Sequence, residues 1–207
     1  MAVLNKLSVV FLLVIGITGT GWAQQFEKQK AAFSQSYEME SSGNIQASIN
    51  ALKAVYEESS YELNLRLGWL CYKSGEFQQS EAYYRKAVSL RPYGIEARFG
   101  LILPLSSMGN WTQVISVYDD LLTIDPNNSV ANYRYGLLMY NREEYLKAEK
   151  LLTKVVNLYP FDYDSLVLLG WIKLRLIKPL EARVLFQKAL LFKPSDPSAT
   201  EGLSLIK

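Results

Sequence analysis

The sequence predicts an all-α protein assembled from about five repeated helix–turn–helix units and closed by a short carboxy-terminal capping helix. Three observations predict it. Pro92, Pro126, Pro160 and Pro194 are spaced by 34 residues each time. Each follows an apolar stretch of helical periodicity, as in LLTKVVNLYP and LFQKALLFKP. Short polar turns divide the units, with Gly75 and Gly109 at the same place in theirs. A period of this length marks a repeat architecture, in which each unit buries its apolar face only by stacking on a neighbour.

Residues 1–23 form a separate element. Lys6 precedes an apolar run from Leu7 to Gly16, and small residues follow at Gly21 and Ala23. That order predicts a secretory signal peptide cut after Ala23, so that the mature chain begins near Gln24. The competing reading is an uncleaved anchor. A membrane span needs about 20 predominantly apolar residues, and this run breaks into Gly and Thr sooner. Export points to the bacterial periplasm, and with no Cys after the apolar run a lipid anchor at that site is excluded.

Residues 24–60 read as a divergent first unit: GNIQASINALKAVYEESS from Gly43 aligns with GEFQQSEAYYRKAVSLRP from Gly75, at an offset of 32 and with Ser60 in place of proline. Four regular units follow, at 61–94, 95–128, 129–162 and 163–196. In the second half of each, three positions recur twelve, eight and five residues before the proline. They hold Ser80, Val114, Ala148 and Ala182; then Tyr84, Tyr118, Leu152 and Phe186; then Ala87, Leu121, Val155 and Ala189. Spacings of four and three place each trio on one helix face. Upstream, Gly68, Gly136 and Gly170 stand at matching positions where two helices can approach closely. In the unit 95–128 Ile102 replaces that glycine, which together with Pro104 predicts a kinked or restrained helix and looser pairing. Residues 197–207 predict the capping helix, with Asp196 as N-cap, Pro197 at its first position and Ala199, Leu203 and Ile206 on one face.

These residues resemble the tetratricopeptide repeat family, whose pattern runs Trp-x2-Leu-Gly-x2-Tyr, then Ala-x3-Phe, then Pro over about 34 residues. The chain departs from it where Trp is expected, holding Asn64, Arg98, Asn132 and Leu166. The resemblance implies a right-handed solenoid of paired helices that binds other proteins in a concave groove lined by the first helix of each repeat. Carrying the family's groove positions onto this chain gives Trp69, Tyr72 and Lys73; Glu96, Phe99 and Leu103; Tyr133, Leu137, Tyr140 and Asn141; and Asp164, Trp171 and Arg175. Some members grip a terminal carboxylate, but the matching positions here hold Leu65, Trp69, Gly100 and Val130, with Arg134 alone suited, so that clamp is not expected.

Composition narrows the chemistry further. With 22 basic and 20 acidic residues the formal charge is +2, and the basic residues form no run, so nucleic acid is not an expected partner. The chain has no His, and its one Cys, at position 71, lies in the apolar stretch 67–72, where it reads as a buried core residue. No phosphate loop, dinucleotide fingerprint, nucleophile elbow or HExxH helix is present. Adjacent carboxylates such as Asp119/Asp120 diverge on a helix and suit no shared substrate. The expectation is therefore a protein with no catalytic residues, no metal and no cofactor. Its partner would be a protein or peptide segment held in an aromatic groove. The alternative is a structural subunit of an envelope complex or homo-oligomer.

Overall fold

A computed structural model describes residues 23–206. The expected signal peptide, apart from Ala23, lies outside the described residues. All regular structure among the described residues is helical, as the sequence predicts. The chain divides into two compact units, Met1–Trp111 and Thr112–Lys207. The first contains α1 (23–41), α2 (Ile45–Lys53), α3 (Tyr61–Lys73), α4 (Phe77–Leu90) and α5 (Glu96–Ser107). The second is built from α6 (Trp111–Ile124), α7 (Ser129–Asn141), α8 (Tyr145–Leu158), α9 (Tyr163–Arg175), α10 (Pro179–Phe192) and α11 (Pro197–Ser204).

Several of the helices start on a side-chain cap of the same kind. Ser60, Asn128, Asp162 and Asp196 cap α3, α7, α9 and α11, their side-chain oxygens accepting the amides of Leu63, Ala131, Ser165 and Ala199. The turns inside the pairs are left-handed: φ is 81° at Gly43, 82° at Gly75 and 73° at Gly109. The next amide bonds back across the turn, Glu76 to the Cys71 carbonyl at 2.8 Å and Asn110 to that of Leu105 at 2.9 Å. One and two periods later the same conformation is held by Glu143 (φ 61°) and Ile177 (φ 58°). Neither residue favours it, and a β-branched side chain least of all.

The stripe predicted on the second helices is the core. Ser80, Ala87, Ala148, Leu152, Ala182, Phe186 and Ala189 have no exposed surface, and Tyr84 retains 3%. Tyr84 explains two glycines of the first unit: its ring lies between Gly68 on α3 and Gly100 on α5, where an added Cβ would come within 2.9 Å and 2.1 Å of ring carbons. Phe186 is held the same way between Gly170 on α9 and Gly202 on α11. The Ser80 hydroxyl donates to the Gly68 carbonyl at 2.7 Å, a contact possible only because α3 and α4 approach so closely. α5 continues unbroken through Pro104, which is buried. The missing proline amide deprives the Gly100 carbonyl of its helical donor, and the helix tolerates this with Gly100 against Tyr84.

Three of the four departures from the family's Trp position have a structural role. Asn64 donates to the carbonyls of Glu58 and Ser60, Asn132 to those of Pro126 and Asn128, and Arg98 to that of Gly94. Each polar side chain thus ties the incoming loop to the helix it starts through backbone acceptors. Cys71 is fully buried, and burial, with the Glu76 carboxylate, pushes its thiol up to about 11. The bland sequence reading of that residue holds.

Candidate functional site

In the first unit, α1 and α3 set side chains around one anion. Glu40 accepts Trp69 Nε1 at 2.8 Å and Lys73 Nζ at 3.0 Å through one oxygen, and pairs with Arg66 at 2.6 Å through the other. Burial works to raise the Glu40 carboxyl, but the donors Trp69, Lys73 and Arg66 outweigh it and bring the pKa down to about 2. The same guanidinium lies 4.1 Å over the Tyr37 ring. Tyr37 in turn is near Phe33, one helical turn earlier on α1, with ring centroids 6.3 Å apart.

Beside this node opens a pocket of about 640 Å³. Phe33 and Tyr37 from α1, Leu65, Arg66 and Trp69 from α3 and the Tyr84 ring give it an apolar and aromatic lining; Tyr61, Glu62, Glu96 and Gly100 complete it. Tyr37 is 55% exposed and Trp69 36%, large rings left uncovered. Of the residues expected from the repeat pattern, this pocket takes in Trp69 and Glu96. Tyr72 packs between Trp69 and Phe77, with centroids at 6.0 Å and 5.9 Å, and Lys73 holds Glu40. Phe99 and Leu103, both half-buried on α5, lie outside the lining. The pattern missed Phe33, Tyr37 and Arg66.

In the second unit α7 carries Tyr133, Leu137, Tyr140 and Asn141 along one face, and α9 carries Trp171 and Arg175. Tyr140 first, and then Tyr145 and Glu143, raise the Arg175 guanidinium above its ordinary value. Tyr133 lines a smaller pocket of about 290 Å³ with Arg134, Tyr159, Asp162 and Asp164. Burial first, and then Asp164 and Asp162, raise its phenol. Trp171 is half-buried and tied to α11: its indole donates to Ser198 at 2.8 Å and its ring meets Phe186 edge-on at 5.5 Å.

Among the described residues no group of three or more His, Cys, Asp or Glu is placed to hold a metal ion. No helix among them is long and apolar enough to cross a membrane.

Stacked helical hairpins with a glycine-lined close approach and an open aromatic surface define the class: the fold is that of tetratricopeptide repeat proteins. Residues 61–93 match the family model for the tetratricopeptide repeat. A tetratricopeptide repeat protein from Parabacteroides merdae aligns with a TM-score of 0.74 at 19% identity, over 87% of this chain and 72% of that one. MamA from Desulfovibrio magneticus aligns at 0.68 and 22% identity, over 82% and 97%. YrrB, described as a tetratricopeptide repeat protein with an unusual peptide-binding site, aligns at 0.69 and 12%, over 89% and 97%. At these identities the likeness is one of fold. Among characterised relatives, the type IV pilus assembly protein PilF of Pseudomonas aeruginosa is 25% identical over 195 residues, 93% of this chain and 69% of that protein.

Proposed function

We propose that this protein is a non-catalytic scaffold that holds a segment of a partner protein against its first-helix surfaces, in the bacterial envelope. The observation that carries this reading is the open aromatic pocket of the first unit, in which Tyr37 and Trp69 are exposed yet fixed in place through Arg66 and Glu40. Aromatic anchors already held in position lose little freedom on binding, which favours affinity. Lys73, Tyr72, Phe99 and Leu103 flank that pocket on the same reading, and Tyr133, Leu137, Tyr140, Asn141, Trp171 and Arg175 offer a second surface in the second unit. Likeness in fold to a peptide-binding protein and similarity to a pilus assembly protein support the reading.

The test is capture of partners from the envelope fraction with the full chain and with a Tyr37→Ala/Trp69→Ala variant. Losing one buried anchor costs about 2 kcal/mol, so the double variant should weaken capture more than about tenfold while its helical circular dichroism stays native. A folded variant that captures the same partners with unchanged affinity refutes the pocket. Fractionation, with the amino terminus read by mass spectrometry, tests the exported form beginning near Gln24.

One observation favours a second reading, a structural subunit that self-associates. Ile177, Leu180, Val184 and Leu191 on and beside α10 are 88%, 76%, 51% and 75% exposed. Sedimentation of the purified chain separates the two readings: a concentration-dependent oligomer weakened by Leu180→Glu supports the second.

A further inference from the structure

We infer that the pocket of the first unit selects a basic segment, one carrying Lys or Arg beside a large apolar side chain; this rests on the scaffold reading above and adds the chemistry of the partner. The charges that line the pocket are Arg66, Glu62 and Glu96. Arg66 pairs with Glu40, which sits 2.6 Å from its guanidinium. Lys73, the other cation nearby, is paired with the same carboxylate at 3.0 Å.

Glu62 and Glu96 are different. Both are exposed, and among the described residues neither forms an ion pair. Glu62 accepts the Ser60 hydroxyl at 3.2 Å and Glu96 the Tyr61 phenol at 3.4 Å, both neutral donors. Arg98, on the same helix as Glu96, is directed to the Gly94 carbonyl. Arg91 lines an adjoining hollow with Glu62 and Tyr61 but is not among the residues lining the pocket itself. Glu40 balances one of the two cations that it holds, so Arg66 and Lys73 against Glu40, Glu62 and Glu96 leave the pocket a net charge of −1, with an apolar floor and two carboxylates at its edge. The Tyr61 phenol registers that field: burial raises its pKa, and the Glu96 and Glu62 carboxylates raise it further.

A segment that seats a Phe, Leu or Trp side chain on Phe33, Leu65 and Trp69 would bring its neighbouring residues to this edge. There a Lys or Arg gains two partners, whereas an Asp or Glu meets like charge. Such complementarity sets partner choice and on-rate, and it weakens with salt. The size fits a side-chain cluster, since ligand pockets run about 300–1,000 Å³.

The experiment is selection of a phage-displayed random 12-residue peptide library on the immobilised full chain, sequenced in parallel with selections on Glu62→Gln/Glu96→Gln and on Tyr37→Ala/Trp69→Ala. Expected is enrichment of Lys or Arg within four positions of an aromatic or Leu, lost on the Gln variant. An enriched peptide synthesised with fluorescein should bind at least fivefold more weakly to the Gln variant, and its affinity should fall between 50 and 300 mM salt for the native chain alone. Enrichment of apolar peptides without basic residues, or of acidic ones, overturns the basic preference and leaves the docking pocket standing. Peptides enriched equally on the native chain and on Tyr37→Ala/Trp69→Ala, or none enriched at all, overturn the pocket and the preference together.

Discussion

Gly100→Ala measures how tightly Tyr84 is held. On an isolated helix the exchange would be favourable, by roughly 0.5–1 kcal/mol. Here the new Cβ would lie 2.1 Å from Tyr84 Cε1 and 2.5 Å from Cζ. The ring has no room to retreat, because its other face meets Gly68 and only 3% of the residue reaches solvent. Overpacking of this kind costs about 1–3 kcal/mol. Offsetting that by the helix gain leaves a net loss of about 1–2 kcal/mol. Since repeat arrays open piecewise, the loss is best read locally, by hydrogen exchange and mass spectrometry of α3, α4 and α5. Their amides should exchange roughly 5–30 times faster, while those of α8 to α10 stay as they were. Gly75→Ala is the contrasting perturbation, with nothing within 4 Å of the new Cβ but a φ of 82° that L residues resist. Unchanged or improved protection of α3 to α5 in Gly100→Ala would refute the argument, for it would mean that Tyr84 moves aside at no cost.

Ile177→Gly should stabilise the second unit by about 0.5–1 kcal/mol, because it relieves a left-handed β-branched residue that is 88% exposed and contributes little packing; urea unfolding monitored on α9 and α10 checks it. Cys71 should resist iodoacetamide at pH 8 in the native chain and react fully in denaturant, since the thiol is buried and its pKa stands at about 11. Glu40 predicts acid lability. Its folded pKa is lowered from 4.5 to about 2, so its stabilisation is complete above about 4.5 and is lost as the pH falls toward 2. Exchange protection of α1 and α3 should decline across that window, and Glu40→Gln should be less stable at neutral pH but flat through it.

The fold was legible because periodicity and packing coincide. The prolines at one period mark links that end helices, and the residues eight before them, Tyr84, Tyr118, Leu152 and Phe186, are all buried. Gly100 and Gly202 were legible too, in principle, since they lie 102 residues apart, three periods, and serve the same purpose against Tyr84 and Phe186. Their offset from Gly68 and Gly170 hid them, because they belong to the helix after the aromatic and not to the one before it.

The candidate site was less legible, and for a reason. A repeat pattern carries positions only from one regular unit to another, and Phe33, Tyr37 and Glu40 stand on α1, where the register is irregular. The helical spacing of four and three across those residues was the available signal. Arg66 looked like one of several scattered cations; its meaning lies in Glu40, 26 residues earlier in sequence and 2.6 Å away in space.

The way Phe186 is held bears on how this chain can be handled. Gly202 covers one side of the ring and Ser198 accepts a hydrogen bond from the Trp171 indole, so α11 covers both rings. A fragment stopping at Pro194 would bare two large rings at once and turn a closed edge into an adhesive one, prone to clumping at the concentrations used for purification or crystallisation. Tags and fusions belong after Leu205, where the chain is already in water.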